Sequence, residues 1–174
     1  MSHKVLSGTF IAFGNLERTF PRMVSAVIAA YNILPKPVVI QAGPNLTAFE
    51  GLSGVSAFRS CDSTEFSGYI NSSTLLIIHG GVGATKEAIL AGRRPAIFVR
   101  SANLGEHIDE HQKDWCHILF ESYLAFDATD VCKLLDFVRQ GEFFQRNLEA
   151  ATELFDDSAL REELHSKINS YLQR

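Results

Sequence analysis

The segment Thr74-Leu-Leu-Ile-Ile78 constrains this chain more than any other, because it has almost no polar face and runs straight into three glycines in four positions, Gly80, Gly81 and Gly83. A strand without a polar side has to be covered above and below, and the centre of a parallel sheet between two helix layers provides that cover. The remainder of the chain repeats the theme, with short apolar runs each followed by a stretch of helical periodicity. Phe10–Phe13, Val38–Gln41, Val55–Phe58, Pro95–Val99 and Tyr123–Phe126 read as further strands. Arg18–Tyr31, Ala84–Ala91, Ile108–Phe120 and Asp130–Arg139 read as helices. Another helix is opened by Asp62-Ser-Thr-Glu65, whose spacing is that of a capping box, and is expected to stop near Asn71. Gly92 suits the left-handed position just past a helix end. The expected fold class is therefore α/β, a Rossmann-like parallel sheet with helices on both faces.

Residues 1–140 are expected to form this domain, and residues 141–174 a helical C-terminal extension. In that tail Leu148, Leu154, Leu160, Leu164, Ile168 and Leu172 are spaced to pack on the domain or on another chain. At 174 residues, 46% hydrophobic and 21% charged, the chain has the composition of one soluble globular domain rather than a disordered one. A net charge of -4 offers no basic field for a phosphate backbone, so nucleic acid is not an expected partner. No apolar run is long enough to cross a membrane, and Met1–Ser7 does not read as a signal peptide. Cys61, Cys116 and Cys132 are widely spaced and fit neither a CxxC pair nor a Cys/His ligand set, which suits reduced thiols in the cytoplasm.

Chemistry concentrates in Ile78-His-Gly-Gly-Val-Gly-Ala-Thr-Lys-Glu87. A glycine-built turn from a buried strand into a helix exposes the helix's first, unpaired amides at the positive end of its dipole, an arrangement suited to phosphate. The glycine order is neither GxGxxG nor GxxxxGK[ST], so a dinucleotide fingerprint and a P-loop are both unsupported, and a tight turn without a ligand stands as the alternative. His79 stands where an imidazole can donate to a diphosphate oxygen, or where nearby backbone satisfies it. Glu87 lies about one helical turn beyond the amides, in reach of both hydroxyls of a ribose, or is an ordinary solvated helix residue. A second polar cluster, Gly105-Glu-His-Ile-Asp-Glu-His-Gln112, is expected to begin the helix after the next strand. There its acids complement a helix dipole, and His107 and His111 share one face, a spacing that raises metal binding but finds no third ligand.

These two clusters together resemble the C-terminal, donor-binding domain of glycosyltransferase family 28. The closest likeness is to its free-standing form, the small catalytic subunit of two-part UDP-sugar transferases of the dolichol-chitobiose and bacterial exopolysaccharide types. The family carries a His-Ala-Gly-Ala-Gly-Ser turn, a Glu a few residues on, a Gly-x-Pro strand and an Asn/Asp-His-Gln helix start. This chain has His79-Gly-Gly-Val-Gly-Ala84, Glu87, Gly92-Arg-Arg-Pro95 and a cluster ending at His111-Gln112. Phe13-Gly14-Asn15 with Phe20-Pro-Arg22 is similar to the family's Val-Gly-Thr turn and Phe-Asp-Arg helix start, and Val39-Ile-Gln-Ala-Gly43 to its second strand.

The resemblance implies one half of a GT-B glycosyltransferase and a donor substrate, a UDP-sugar, with no cofactor and no metal. It implies that His79, as a cationic or hydrogen-bond-donating catalytic group, and the amides around Gly80, Gly81, Val82, Gly83, Ala84 and Thr85 hold the diphosphate. By the same token Glu87 takes the ribose, His111 and Gln112 the hydroxyls of the transferred sugar, and Gly14 and Asn15 the rim of the pocket. The family serine is Ala84 here, with Thr85 the expected substitute for its hydroxyl, and the family threonine is Asn15. Implied too are inversion at the anomeric carbon, a lipid-linked saccharide acceptor, and a membrane-associated partner subunit that supplies acceptor site and base. The chain itself is then cytoplasmic and peripheral at the membrane through that partner. A non-catalytic nucleotide-sugar-binding or regulatory protein of the same fold is the alternative.

Overall fold

A computed structural model of the chain describes residues 7–108 and 111–144, and all but the first four residues of the helical extension expected over 141–174 lie outside the described residues. Six strands, β1 (Thr9–Ala12), β2 (Val38–Gln41), β3 (Val55–Phe58), β4 (Leu75–His79), β5 (Ala96–Phe98) and β6 (Phe126–Asp127), form one sheet in the order β3-β2-β1-β4-β5-β6. Every neighbouring pair is parallel. The winding direction reverses between β1 and β4, so the connections leaving these two adjacent strands diverge and open a crevice at their carboxyl ends.

Alternation along the strands sends side chains into two cores. Ile11, Ile40, Ile77 and Phe98 face α1 (Pro21–Ala30) and α5 (Val131–Gln140), packing with Met23, Val27, Leu134 and Phe137. Phe10, Leu76, Ile78 and Ile97 face α2 (Ser63–Ser72), α3 (Val82–Leu90) and α4 (His111–Glu121), packing with Ile70, Ile89, Trp115 and Leu119. From Leu75 to Ile78 no residue of β4 is more than 2% exposed, as an apolar central strand requires. Each such aliphatic side chain stabilises the fold by about 1.5–3 kcal/mol.

Element ends differ from the sequence expectation for local reasons. The first helix begins at Pro21, not Arg18, because the residue before a proline is kept out of the helical region; Phe20 has φ −133 and ψ 70. Its N–H donates instead to Asn45 Oδ1 at 2.8 Å. The capping box of α2 forms as the spacing requires, and the helix runs one residue past Asn71. The third helix starts at Val82, two residues earlier than expected. Gly92 adopts φ 74 past its end. The strand expected over Tyr123–Phe126 is shifted and shorter: α4 reaches Glu121, Tyr123 turns with φ 55, Leu124 and Ala125 are buried, and β6 runs from Phe126 to Asp127.

The fourth helix is described from His111, and Ile108 lies in a bend before it rather than in its first turn; one ion pair shapes this approach. Arg22, in the first turn of α1, donates Nε to Glu106 Oε1 at 2.9 Å and Nη2 to Oε2 at 2.5 Å. The same guanidinium reaches the carbonyls of Val99 at 3.0 Å and Thr129 at 3.2 Å. Glu106 is 3% exposed and also accepts the Ser101 N–H. With Glu106 drawn inward and Gly105 at φ 71, the chain cannot enter a helix at this point.

Arg22→Ala leaves a buried carboxylate without its cation and is expected to cost about 3 kcal/mol in urea unfolding. The Arg22→Ala, Glu106→Ala double variant should lose clearly less than the sum of the two singles. Additive losses would show that the pair does not act as a unit.

Candidate functional site

His79 closes β4, and its ring occupies the space that two glycines leave empty. A Cβ on Gly14 would lie 2.6 Å from Cε1 and Nε2 of His79, and one on Gly81 would lie 2.3 Å from Nε2. Gly14 also needs its positive φ of 81. Gly80 faces α4 in the same way: a Cβ there would meet Cys116 Sγ at 2.6 Å. Burial pushes the Cys116 thiol up to about 12, so it stays protonated and bonds the Gly80 carbonyl at 3.7 Å. The glycines of the turn are thus spaces for an imidazole and a thiol as much as points of backbone freedom.

The first hydrogen bond of α3 runs from Thr85 N–H to Gly81 O at 3.0 Å, so the amides of Val82, Gly83 and Ala84 precede any helical acceptor. Gly80 N–H is taken by the Phe98 carbonyl at 3.1 Å. The helix start opens on a cavity of about 440 Å³ at the β1–β4 crevice, lined by Gly14, Asn15, Gln41, His79, Gly81 and Glu87 on the sheet side. Cys61, Asp62, Ser63 and Phe66, where α2 begins, form the opposite wall. Thr85 does not stand in for the serine that Ala84 replaces. It is fully buried, its hydroxyl donates to Gly81 O at 2.9 Å, and it accepts from Trp115 Nε1 at 2.8 Å.

Within this cavity Glu87 Oε1 accepts from the Ser67 hydroxyl, which aims the carboxylate across the gap between α3 and α2. Gln41 Nε2 donates to Asn15 Oδ1 at 2.8 Å, while Gln41 Oε1 is buried without a partner among the described residues. Ser67 and Gln41 escaped the sequence reading: a serine in a polar helix carries no signal, whereas a glutamine ending an apolar strand was a usable one.

His79 is not cationic. Burial first, and then the nearby Arg100 charge, lower its pKa to about 4, against the opposing pull of the Ala12 carbonyl. Its Nδ1 is sealed from solvent with no partner among the described residues, and its Nε2 lies beside the two glycines. Arg100, expected only as part of a polar loop, is 1% exposed. It donates to the carbonyls of Phe13 at 2.8 Å, Glu106 at 2.9 Å and Arg18 at 3.2 Å, with its guanidinium 4.6 Å from the centre of the Phe20 ring.

The second polar cluster divides. Gln112 lies beside Gly80, with Nε2 3.2 Å from His107 Nε2 and a buried Oε1 that has no partner among the described residues. His107 sits in the turn before α4, so it and His111 do not share a helix face as expected. His111 is the first described residue of α4; its side chain, with Asp109 and Glu110, lies outside the described part.

Strand order, crevice and helix start are those of a Rossmann-like α/β domain, a fold consistent with one half of a two-domain GT-B glycosyltransferase. The glycotransferase of kitacinnamycin aligns with a TM-score of 0.56 and 16% identity over 95% of this chain and 41% of that one. CalG4, the calicheamicin glycosyltransferase, aligns with a TM-score of 0.58 and 19% identity over 99% of this chain and 43% of that one. The chain therefore spans about two fifths of the length of each, and the likeness is one of fold. No family model and no curated protein matches the chain.

Because His79 titrates near 4 when folded and near 6.5 when unfolded, the unfolded chain binds the extra proton between those values. Stability contributed by the neutral ring is complete above that window and is lost as pH falls through it. Between pH 7 and pH 5 the loss should be at most about 2 kcal/mol, less to the extent that solvent reaches the ring edge. Denaturant unfolding at the two pH values checks this, and His79→Asn should flatten the difference. Gly81→Ala should expel the ring and destabilise the fold by about 1–3 kcal/mol.

Proposed function

We propose that the chain is the donor-binding subunit of an inverting UDP-sugar glycosyltransferase. In this reading it transfers a hexosyl or N-acetylhexosaminyl group to a lipid-linked saccharide, together with a membrane-associated partner subunit. One observation carries the reading: the free amides of Val82, Gly83 and Ala84 and the Nε2 edge of His79 converge on a crevice that also holds Glu87. A pyrophosphate at the helix start is stabilised by amides and dipole together. A ribose one turn further along α3 then presents its two hydroxyls to the Glu87 carboxylate, which Ser67 holds in place. The base is left with the α2 wall, where Phe66 offers an apolar surface. Gln112, next to Gly80, lies on the side toward which the transferred sugar extends, and His111 is assigned to the same sugar.

In the transfer step an acceptor hydroxyl attacks the anomeric carbon in line, its proton passes to a base, and UDP departs. Negative charge grows on the leaving diphosphate. Fixed amides and a neutral His79 donating from Nε2 stabilise that charge more than they stabilise the bound donor. In this reading the base and the main acceptor site are assigned to the partner, which also brings the chain to the membrane.

A second reading, a nucleotide-sugar-binding protein without transferase activity, is favoured by one feature. Ala84 offers no hydroxyl at the helix start, and the Thr85 hydroxyl is committed to Gly81 and Trp115. Transfer of labelled sugar in the presence of a partner subunit separates the two.

By calorimetry Glu87→Ala should weaken UDP binding by about 1–3 kcal/mol, and Ser67→Ala by less, since it only positions the carboxylate. His79→Ala should weaken UDP more than uridine. Unchanged UDP affinity in Glu87→Ala would remove the ribose role, and equal losses for UDP and uridine in His79→Ala would remove the diphosphate role.

A further inference from the structure

A second cavity, of about 570 Å³, opens further along the same edge of the sheet. Its base is formed where β5 and β6 end, by Val99, Ser101, Asp127 and Thr129, and α4 contributes Lys113, Asp114, His117 and Phe120 to its wall. The strong charges here are matched by their own neighbours. Arg22 at the rim is held by Glu106, and Asp127 by Lys133 at 2.5 Å. The cavity therefore has no concentrated field of one sign that would select a free phosphate or a cation.

What it offers instead is an interleaving of both hydrogen-bonding senses. Thr129 and Ser101 are hydroxyls, Asp114 and Asp127 are acceptors, and Lys113 and His117 bring donors. Each Asp127 oxygen carries one bond in the fold, from Thr129 and from Lys133, and a carboxylate has lone pairs for more. Phe120 adds an aromatic surface and Leu104, 61% exposed, an apolar lip. Ligands that demand many donors and acceptors of both senses beside an apolar face are polyhydroxylated rings, whose hydroxyls both give and accept while their C–H faces rest on aromatic carbon.

Position supports the same ligand. β6 lies two strands from β4, about 10 Å along the sheet, with Gly80, Gln112 and His107 in between. A sugar on a diphosphate at the start of α3 that extends past Gln112 points its reacting carbon toward this second cavity. We propose that the cavity between α4 and the ends of β5 and β6 binds a saccharide unit of the acceptor, so that this chain holds part of both substrates. The assignment of the sugar as acceptor rests on the donor reading given above; the sugar site itself does not.

Amide chemical shifts of the full, isotope-labelled chain, titrated with methyl β-N-acetylglucosaminide and methyl β-glucoside with and without UDP, test it. Perturbations are expected at Ser101, His117 and Thr129. His117→Ala and Lys113→Ala, both on the exposed face of α4, should each weaken glycoside binding, and the pair together by about ten-fold, the scale of a lost hydrogen bond to a charged group. UDP affinity should not change in either. Glycoside shifts confined to the turn at Gly80 or to the first cavity, none up to the solubility of the sugar, or binding indifferent to both substitutions overturn the proposal. A chain that binds UDP at α3 yet no glycoside sinks this site alone, whereas glycoside binding here without UDP binding sinks the donor reading and leaves the sugar site standing.

Discussion

A guanidinium buried among backbone carbonyls organises this domain. Arg100 leaves the end of β5 and gives its protons to the carbonyls of Phe13, Arg18 and Glu106, joining the loop after β1 to the loop before α4. Such a charge is tolerable indoors only because backbone oxygens and an aromatic face replace its water. Arg22 does the complementary work from α1, using Glu106 and two strand-end carbonyls. Between them the two arginines tie together the loops that follow β1, β5 and β6. Arg100 also sets the electrostatics there, since its charge helps to keep His79 neutral.

How legible was this in the sequence? The sheet was, because Leu75–Ile78 has no polar face to expose and Val38–Gln41 and Val55–Phe58 are bounded by turn residues. The turn from His79 to Val82 was legible too, since three glycines in four positions have few uses. Less so were features that depend on partners far along the chain. Glu106 read as a dipole-complementing acid at a helix start, but an arginine 84 positions away draws it inside. Thr85 read as a hydroxyl for a ligand, but an indole 30 positions away claims it. His79 read as a charge in waiting, and only the packing of Gly14 and Gly81 against its ring reveals how little room there is for water. Local spacing predicts local chemistry, and the errors fall where a long-range hydrogen bond has the stronger claim.

The same comparison clarifies why glycine appears where it does. Among the described residues Gly14 and Gly81 enclose one ring edge from two different loops, so β1 and β4 are registered against each other by a side chain as well as by the ladder. A helix start presented at that seam is rigid, because moving it means moving both strand ends. Rigidity suits a site whose contribution to a reaction is fixed dipoles rather than a moving acid.

One consequence concerns light rather than chemistry. Trp115 is the chain's single tryptophan, and its indole N–H is bonded to Thr85, within the first turns of α3. Any shift of that helix start alters the polarity and hydrogen bonding around the chain's dominant fluorophore. The domain thus carries, without labelling, an optical gauge wired to the end of the helix on which its proposed chemistry turns.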